Sequence, residues 1–356
     1  MRLFEPVSFR GVTLRNRIAV SPMCQYSSVD GFANQWHLVH LGSRAVGGAG
    51  LIFTEAAAVS AEGRISPSDL GIYDDAHVEK LAEIVAFLHQ QGASAGMQLA
   101  HAGFKASTAA PWDGGGPVPP GQGGWLPVLA PSAKPFREGW MVPHAMSAQE
   151  IAGVVRAFAR ASERAVAAGF RMLEIHAAHG YLLHEFLSPL TNRRTDAYGG
   201  SFESRTRALR EVVSAVREVV PEAMPLAVRI SASDWMEGGW TVDDSIELAR
   251  ELKTLGVDLV DCSSGGIVPD AKIEIGPEYQ VPFARRVRAE AQIATGAVGL
   301  ITTAAQAEGI VERGDADLVL FARELLRSPY WPLDAAHKLG ADVPWPVQYE
   351  RAKPRK

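Results

Sequence analysis

The sequence predicts an α/β fold, a (β/α)8 TIM barrel in which eight short strands close on themselves within one domain spanning 1–356. Three observations predict it. Eight short apolar runs, at 17–23, 50–56, 95–100, 172–176, 226–231, 259–263, 294–299 and 318–322, are each bounded by Gly, Pro or small polar residues. Amphipathic segments lie between them, at 75–91, 147–168, 203–220, 242–255, 302–313 and 324–339. Strictly alternating strand and helix patterns require parallel pairing, because each helix carries the chain back across the sheet. A doubly wound open sheet is the competing architecture. It calls for a Gly-x-Gly-x-x-Gly turn after the first strand, and Ser21-Pro22-Met23-Cys24 offers none.

In chain order, each segment carries its own boundary signals. Gly92, Gly169, Gly256 and Gly314 stand where glycine ends a helix. Ser147-Ala148-Gln149-Glu150 is a capping box ahead of the longest helix. Two insertions break the rhythm. The stretch 108–127, with Gly114-Gly115-Gly116 and Pro119-Pro120, follows a strand end and reads as a mobile flap over the top of the barrel. The stretch 187–201 gathers Arg193, Arg194 and Asp196 near Arg205, and reads as a charge-stapled anchor in preference to a lid or a nicotinamide-phosphate contact. No repeat beyond the βα unit and no domain linker is visible.

Composition narrows the functional classes. With 47 % apolar residues a large core can be buried. The net charge of −5, with acids and bases mixed, argues against nucleic acid and against an anionic membrane surface. Cys24 and Cys262 are the only cysteines, so no disulfide framework is expected and a reducing cytoplasm fits. Met1 to Pro6 contains no apolar leader, and no continuous apolar run approaches the ~18 residues that span a bilayer.

Function in such a barrel sits at the C-terminal strand ends. There the chain offers Ser21 to Tyr26, Glu55-Ala56, Gln98 to His101, His176 to Tyr181, Arg229, Cys262 to Gly266, Gly296 to Gly299 and Ala322-Arg323. The densest group is His176, His179 and Tyr181. In a regular strand the two histidines would face opposite ways, so they converge only if the strand ends near 175–177 and the backbone turns at Gly180. Packed core histidines, an oxyanion-binding pair and two-thirds of a metal site are all compatible with that spacing. Glycine-rich ends of strands six to eight, beside Arg323, suit a phosphate. Gln98 and Arg229 could satisfy interior backbone groups or flank a flat polar ring bearing negative charge. Lys105 lies on a loop past the third strand, which disfavours a Schiff-base aldolase. The strand ends carry no carboxylate cluster, which disfavours an enolase-like metal site; Glu55, the one acid there, could pair with an interior cation.

At the level of motifs the chain resembles the Old Yellow Enzyme family of flavoproteins. The resemblance rests on Arg15-Asn16-Arg17-Ile18, Ser21-Pro22-Met23-Cys24-Gln25-Tyr26, Glu55-Ala56 with Gly63-Arg64-Ile65, and Gln98-Leu99-Ala100-His101-Ala102-Gly103. It continues through His176-Ala177-Ala178-His179-Gly180-Tyr181-Leu182 and Asn192-Arg193-Arg194-Thr195-Asp196-Ala197-Tyr198-Gly199-Gly200-Ser201, and covers 3–351. Cys24 after Pro-Met is similar to the bacterial thermophilic-like branch of ene-reductases. The resemblance implies an FMN enzyme that takes hydride from NADPH or NADH and reduces the C=C bond of electron-poor alkenes: unsaturated carbonyls, maleimides or nitroalkenes.

Carried over by residue, it implies that Ser21, Pro22, Met23 and Cys24 line the flavin, with Cys24 tuning its potential. Ala56, Gln98 and Arg229 would hold the ring, and Ser264, Gly265, Gly299, Ala322 and Arg323 the phosphate. His176 and His179 would bind the substrate oxygen, Tyr181 would donate the proton, and Tyr26 would close over the substrate. Pro346-Val347-Gln348-Tyr349-Glu350-Arg351, in a tail of about 340–356, resembles a segment that brings Arg351 into a neighbouring protomer's site, implying a homodimer or dimer-based homotetramer. Three positions depart from the branch: Phe104 replaces arginine, Ala322 replaces glycine and Ser204 replaces asparagine. A metal- or phosphate-dependent lyase and a non-catalytic flavin or nucleotide binder remain as alternatives.

Overall fold

Eight parallel strands close into a barrel in the computed structural model, which describes residues 1–354. They are β1 (Ile18–Val20), β2 (Leu51–Ala58), β3 (Ser94–Ala100), β4 (Met172–Ala177), β5 (Leu226–Ser231), β6 (Leu259–Ser263), β7 (Ala294–Ala297) and β8 (Leu318–Phe321). Each pairs with its neighbours in sequence, and Val319 opposite Ile18 closes the ring. The helices around it are α1 (Gln35–Val46), α2 (His77–Gln90), α3 (Ala148–Ala167), α4 (Leu182–Leu187), α5 (Phe202–Val219), α6 (Val242–Thr254), α7 (Val281–Ala291), α8 (Ala304–Glu312), α9 (Arg323–Arg327) and α10 (Trp331–Leu339). The expected glycines do end their helices in the left-handed region, with φ of 77° at Gly92, 87° at Gly169, 88° at Gly256 and 73° at Gly314.

The period of two along the strands sorts the barrel interior into layers. Met172, Ala227 and Leu259 join an apolar plug with Phe9 and Leu14 of an N-terminal hairpin, Val7–Phe9 paired with Val12–Leu14. Two residues further along the same strands stand Glu174, Arg229 and Asp261, all buried. Two further stand His176, Ser231 and Ser263. Apolar floor, charged middle and polar mouth therefore follow from one alternation on three adjacent strands. Gly96 belongs to this plan, since a Cβ there would lie 2.6 Å from the Phe53 ring.

Several expectations are corrected. The segment 324–339 is two helices, α9 and α10, because Pro329 has no N–H to continue the first and Pro332 sits in the opening turn of the second. Helices α1 and α7 and the N-terminal hairpin were not singled out from the sequence. Strand β1 stops at Val20, short of 23, and β7 at Ala297, short of 299.

Of the two insertions, 187–201 is an anchor: Asn192 Nδ2 donates to the Phe186 and Tyr198 carbonyls (both 2.7 Å), and Arg194 donates to the carbonyls of Pro131 and Met146. The flap is tied down at its base. Ser107 Oγ donates to the Val118 carbonyl (2.8 Å) and accepts the Trp125 N–H (2.9 Å), while Trp125 Nε1 reaches the Glu62 carbonyl. Among the described residues no helix is long and apolar enough to cross a membrane.

Candidate active site

The mouth of the barrel is built around the turn after β4. His179 and Gly180 are both left-handed, with φ of 59° and 75°, and this reverses the chain. The His176 and His179 rings then lie 5.2 Å apart, and the Tyr181 ring lies 5.0 Å from His176. The convergence that the spacing left open is therefore achieved. Gly180 is required, because a Cβ there would sit 2.2 Å from the Gly266 carbonyl oxygen. His179 N–H donates to Ser231 Oγ (2.9 Å), and Lys105 Nζ donates to the carbonyls of His179 (2.8 Å) and Gly266 (2.6 Å). Lys105, set aside in the sequence as a loop residue, thus braces the turn. Burial lowers its ammonium to about 8.

Protonation states follow from burial. Both imidazoles are pushed well below their ordinary pKa, first by desolvation and then by neighbouring histidine, Arg229 and Lys105 charges, so each is neutral and carries one N–H. His176 Nδ1 accepts the Ala178 N–H (3.3 Å), which leaves Nε2 as its donor. His179 Nε2 lies 2.6 Å from Ser263 Oγ. With that hydroxyl donating, Nδ1 carries the proton. Burial likewise raises the Tyr181 phenol and the Cys24 thiol, so both keep their protons. Cys24, Tyr26 and Tyr181 pack in one cluster with Ile65 and Trp125. Tyr26 meets Trp112 of the flap edge-on at 5.5 Å. Pro22 and Met23 are half-buried, and Gln25 N–H is held by Glu55 Oε2 (3.0 Å). Among the described residues no lysine or arginine pairs with Glu55; the group opposite it is the His37 ring, whose Nε2 lies 3.1 Å from Oε1 and whose Nδ1 accepts the Asn34 N–H.

Beneath the mouth, Arg229 donates to Ser21 Oγ (2.9 Å) and its Nε lies 3.0 Å from Asp261 Oδ2. Gln98, opposite Ala56 in register, donates to Glu174 Oε1 (2.7 Å). Ser21, Ala56, Gln98 and Arg229 thus lie together, over two carboxyls that sequence reasoning missed. Burial raises both carboxyls, Glu174 to about 8, and the charge of Asp261 adds to the rise at Glu174. One proton shared between them satisfies Glu174 Oε2 and an Asp261 oxygen, which otherwise have no partner. The signal was available, because a charged residue two positions before His176 and before Ser263 must share their interior face.

At the ends of β6 to β8 a pocket of about 230 Å³ is lined by Gly299, Ala322 and Arg323 together with Tyr279, Gln280 and Thr302. Gly299 has φ 122°, open only to glycine. Ala322, where the branch has glycine, has φ −103° and ψ −98°: the negative φ does not call for glycine, while ψ lies outside the main helical region. Ser264 Oγ donates to Gln280 Oε1 (2.6 Å), and Gln280 Nε2 donates to the Val298 carbonyl (3.2 Å), linking the β6 and β7 ends. Gly265 departs from expectation: its N–H is held by the Ser233 carbonyl (2.8 Å) and its own carbonyl by Ser231 Oγ (2.7 Å). It shapes the turn and does not present its amide to an anion. Phe104, in place of arginine, packs on Phe136 at 5.3 Å. Arg351 is exposed on the turn Val347–Ala352, whose Tyr349 packs against Tyr330. Among the described residues no three His, Cys, Asp or Glu side chains are grouped to hold a metal ion.

This donor set fits a flat ring system with a phosphate tail: an amide and a guanidinium under the mouth, and an arginine-lined glycine pocket beside it. Known proteins agree. The chain is 52 % identical over 351 residues to an NADPH dehydrogenase of Geobacillus sp. (strain WCH70), covering 98 % of each. It superposes on morphinone reductase in complex with tetrahydroNAD with a TM-score of 0.78 at 29 % identity, covering 97 % of this chain and 92 % of that one. It shares its fold with 2-naphthoyl-CoA reductase (TM-score 0.85, 24 % identity), covering 96 % of this chain and 52 % of that longer one, about half its length. Residues 2–342 match the NADH:flavin oxidoreductase / NADH oxidase family, and the chain belongs to it as an Old Yellow Enzyme-like, FMN-dependent NAD(P)H oxidoreductase.

Proposed function

We propose that this oxidoreductase reduces the C=C bond of α,β-unsaturated carbonyls, maleimides or nitroalkenes. The observation that carries the reading is the pair of neutral imidazoles 5.2 Å apart with a protonated phenol beside them. Bound FMN supplies the hydride, taken from NADPH or NADH. The chain's own residues do the rest. As hydride reaches the β-carbon, negative charge accumulates on the activating oxygen. His176 and His179 donate N–H to that oxygen, and such fixed donors stabilise the transition state more than the ground state. Each is typically worth ~2.7–4 kcal/mol. The Tyr181 phenol protonates the α-carbon, and its high pKa keeps that proton available at neutral pH.

Ser21, Pro22, Met23, Cys24, Ala56, Gln98 and Arg229 would hold the ring, with Gly299, Ala322 and Arg323 on the phosphate. The Cys24 thiol, half-buried and uncharged, would set the polarity at the ring edge. Tyr26 would cover the substrate, and a homodimer or dimer-based homotetramer would bring Arg351 of a neighbouring protomer to the site. Anaerobic titration tests the reading. NADPH should bleach the flavin, and 2-cyclohexenone, N-ethylmaleimide or nitrostyrene should restore its colour. A reduced flavin that oxygen reoxidises but none of these alkenes does would refute it.

A further inference from the structure

Behind the turn that carries His179 and Tyr181 lies a third histidine with no part in the chemistry above. His184 is wholly buried in the first turn of α4. Its Nδ1 accepts the Gly180 N–H at 2.9 Å, so the lone pair is on Nδ1 and the proton on Nε2. That proton is given to Asp234 Oδ1 at 2.9 Å. Asp234, equally buried, takes the Ser188 hydroxyl (2.6 Å) and the Trp240 N–H (2.7 Å) on its other oxygen. Burial works against its charge, yet the bonds from His184, Ser188 and Trp240 hold it below its ordinary value.

The consequence is directional. Tyr181 is the N-cap of α4 and its side chain makes no capping bond, so His184 reaches back from the third helical position to the residue before the cap. The other tautomer would set N–H against N–H at Gly180 and present a lone pair to the carboxylate. Asp234 therefore makes Nδ1 an obligatory acceptor. The neighbouring His179 sits at φ 59°, where an L-residue is held only if its surroundings enforce it. Ser231, Lys105 and the Gly266 backbone hold His179 and the outer side of the turn, while His184 holds the inner side.

We propose that His184, with its tautomer set by Asp234, is a positioning residue that fixes the His179–Gly180 turn and so aims His179 and Tyr181 at the substrate. This rests on the alkene-reductase reading. Two variants separate it from a purely structural role. In His184→Asn the amide oxygen can stand where Nδ1 stands and accept the Gly180 N–H, but the side chain no longer reaches Asp234. In His184→Gln the amide can reach Asp234 but leaves the Gly180 N–H without a partner.

Flavin-loaded protein is titrated with para-hydroxybenzaldehyde by absorbance, alongside urea unfolding and alkene kinetics. Expected is a crossed result: His184→Gln binds the phenol about tenfold more weakly and loses kcat for cyclohexenone, while His184→Asn keeps phenol affinity but loses stability through the orphaned carboxylate. Equal effects of both variants on affinity, or wild-type affinity in His184→Gln, would overturn the inference. Should neither retain flavin, Asp234→Asn serves: phenol affinity should fall about threefold or more, and unchanged affinity would overturn it. Wild-type protein that binds no phenol and is reoxidised by no alkene defeats the underlying reading instead.

Discussion

Replacing Gly180 with alanine tests how tightly the turn is clamped. The residue has φ 75°, and a Cβ there would lie 2.2 Å from the Gly266 carbonyl oxygen and 3.0 Å from Lys105 Nζ. The left-handed conformation costs alanine about 1–2 kcal/mol. The Gly266 contact is roughly an ångström closer than van der Waals separation allows, and relieving such overpacking costs about 1–3 kcal/mol more. A loss of about 2–5 kcal/mol is therefore expected from the two terms together. Gly340→Ala provides the reference, since Gly340 has φ 72° with nothing within 4 Å of its virtual Cβ, and only the conformational part should appear. Urea unfolding of both variants isolates the steric part by difference. The strain can be relieved only by moving the backbone that carries His179, so phenol affinity and alkene turnover should fall too, by up to about 10²-fold for a displacement near 1 Å. A Gly180→Ala protein as stable as Gly340→Ala, with wild-type phenol affinity, would show that the turn adapts freely and that its geometry does not control the site.

Other expectations follow from the same geometry. Tyr181→Phe should slow flavin reoxidation by cyclohexenone strongly and by nitrostyrene least, because a nitronate can take its proton from water; an equal slowdown for both, followed by stopped flow, would remove Tyr181 as donor. Burial pushes the Glu174 carboxyl up to about 8, so its contribution to stability is fully present below the ordinary carboxylate value and is lost as pH rises through about 8. Urea unfolding from pH 5 to 9 should show this decline, and Glu174→Gln should flatten it; an unchanged slope would remove the buried proton. Arg323→Gln should weaken FMN binding to the apoprotein much more than riboflavin binding, and equal losses measured by fluorescence quenching would place the phosphate elsewhere.

How much of the site was legible depends on the kind of signal each residue gives. His176, His179 and Tyr181 stand out because three hydrogen-bonding side chains follow an apolar strand. Gly180 marks where the chain can turn. Glu174 and Asp261 lie in the middles of strands whose ends carry the conspicuous polar groups, although the period of two places both on the interior face. Gly265 looked like a phosphate glycine because glycine-rich composition does not say which amides are already bonded; Ser233 claims that one. The segment 324–339 reads as one helix because its apolar periodicity runs straight through Pro329 and Pro332, which divide it in two.

Local physics carries the strands, the helix stops and the capping boxes, because alternation, glycine backbone freedom and Ser/Glu reciprocity act within a few residues. Sequence alone therefore determined that this chain is a (β/α)8 barrel and which strand ends bear polar groups. Tertiary structure alone decided that Lys105, 74 positions from His179, reaches its backbone carbonyl while Ser263, 84 positions from it, reaches its imidazole, and that Asp234 sets the tautomer of His184 from 50 positions away. Closing the ring places the β3, β4, β5 and β6 ends side by side, and no short-range pattern encodes which side chains then share one buried volume.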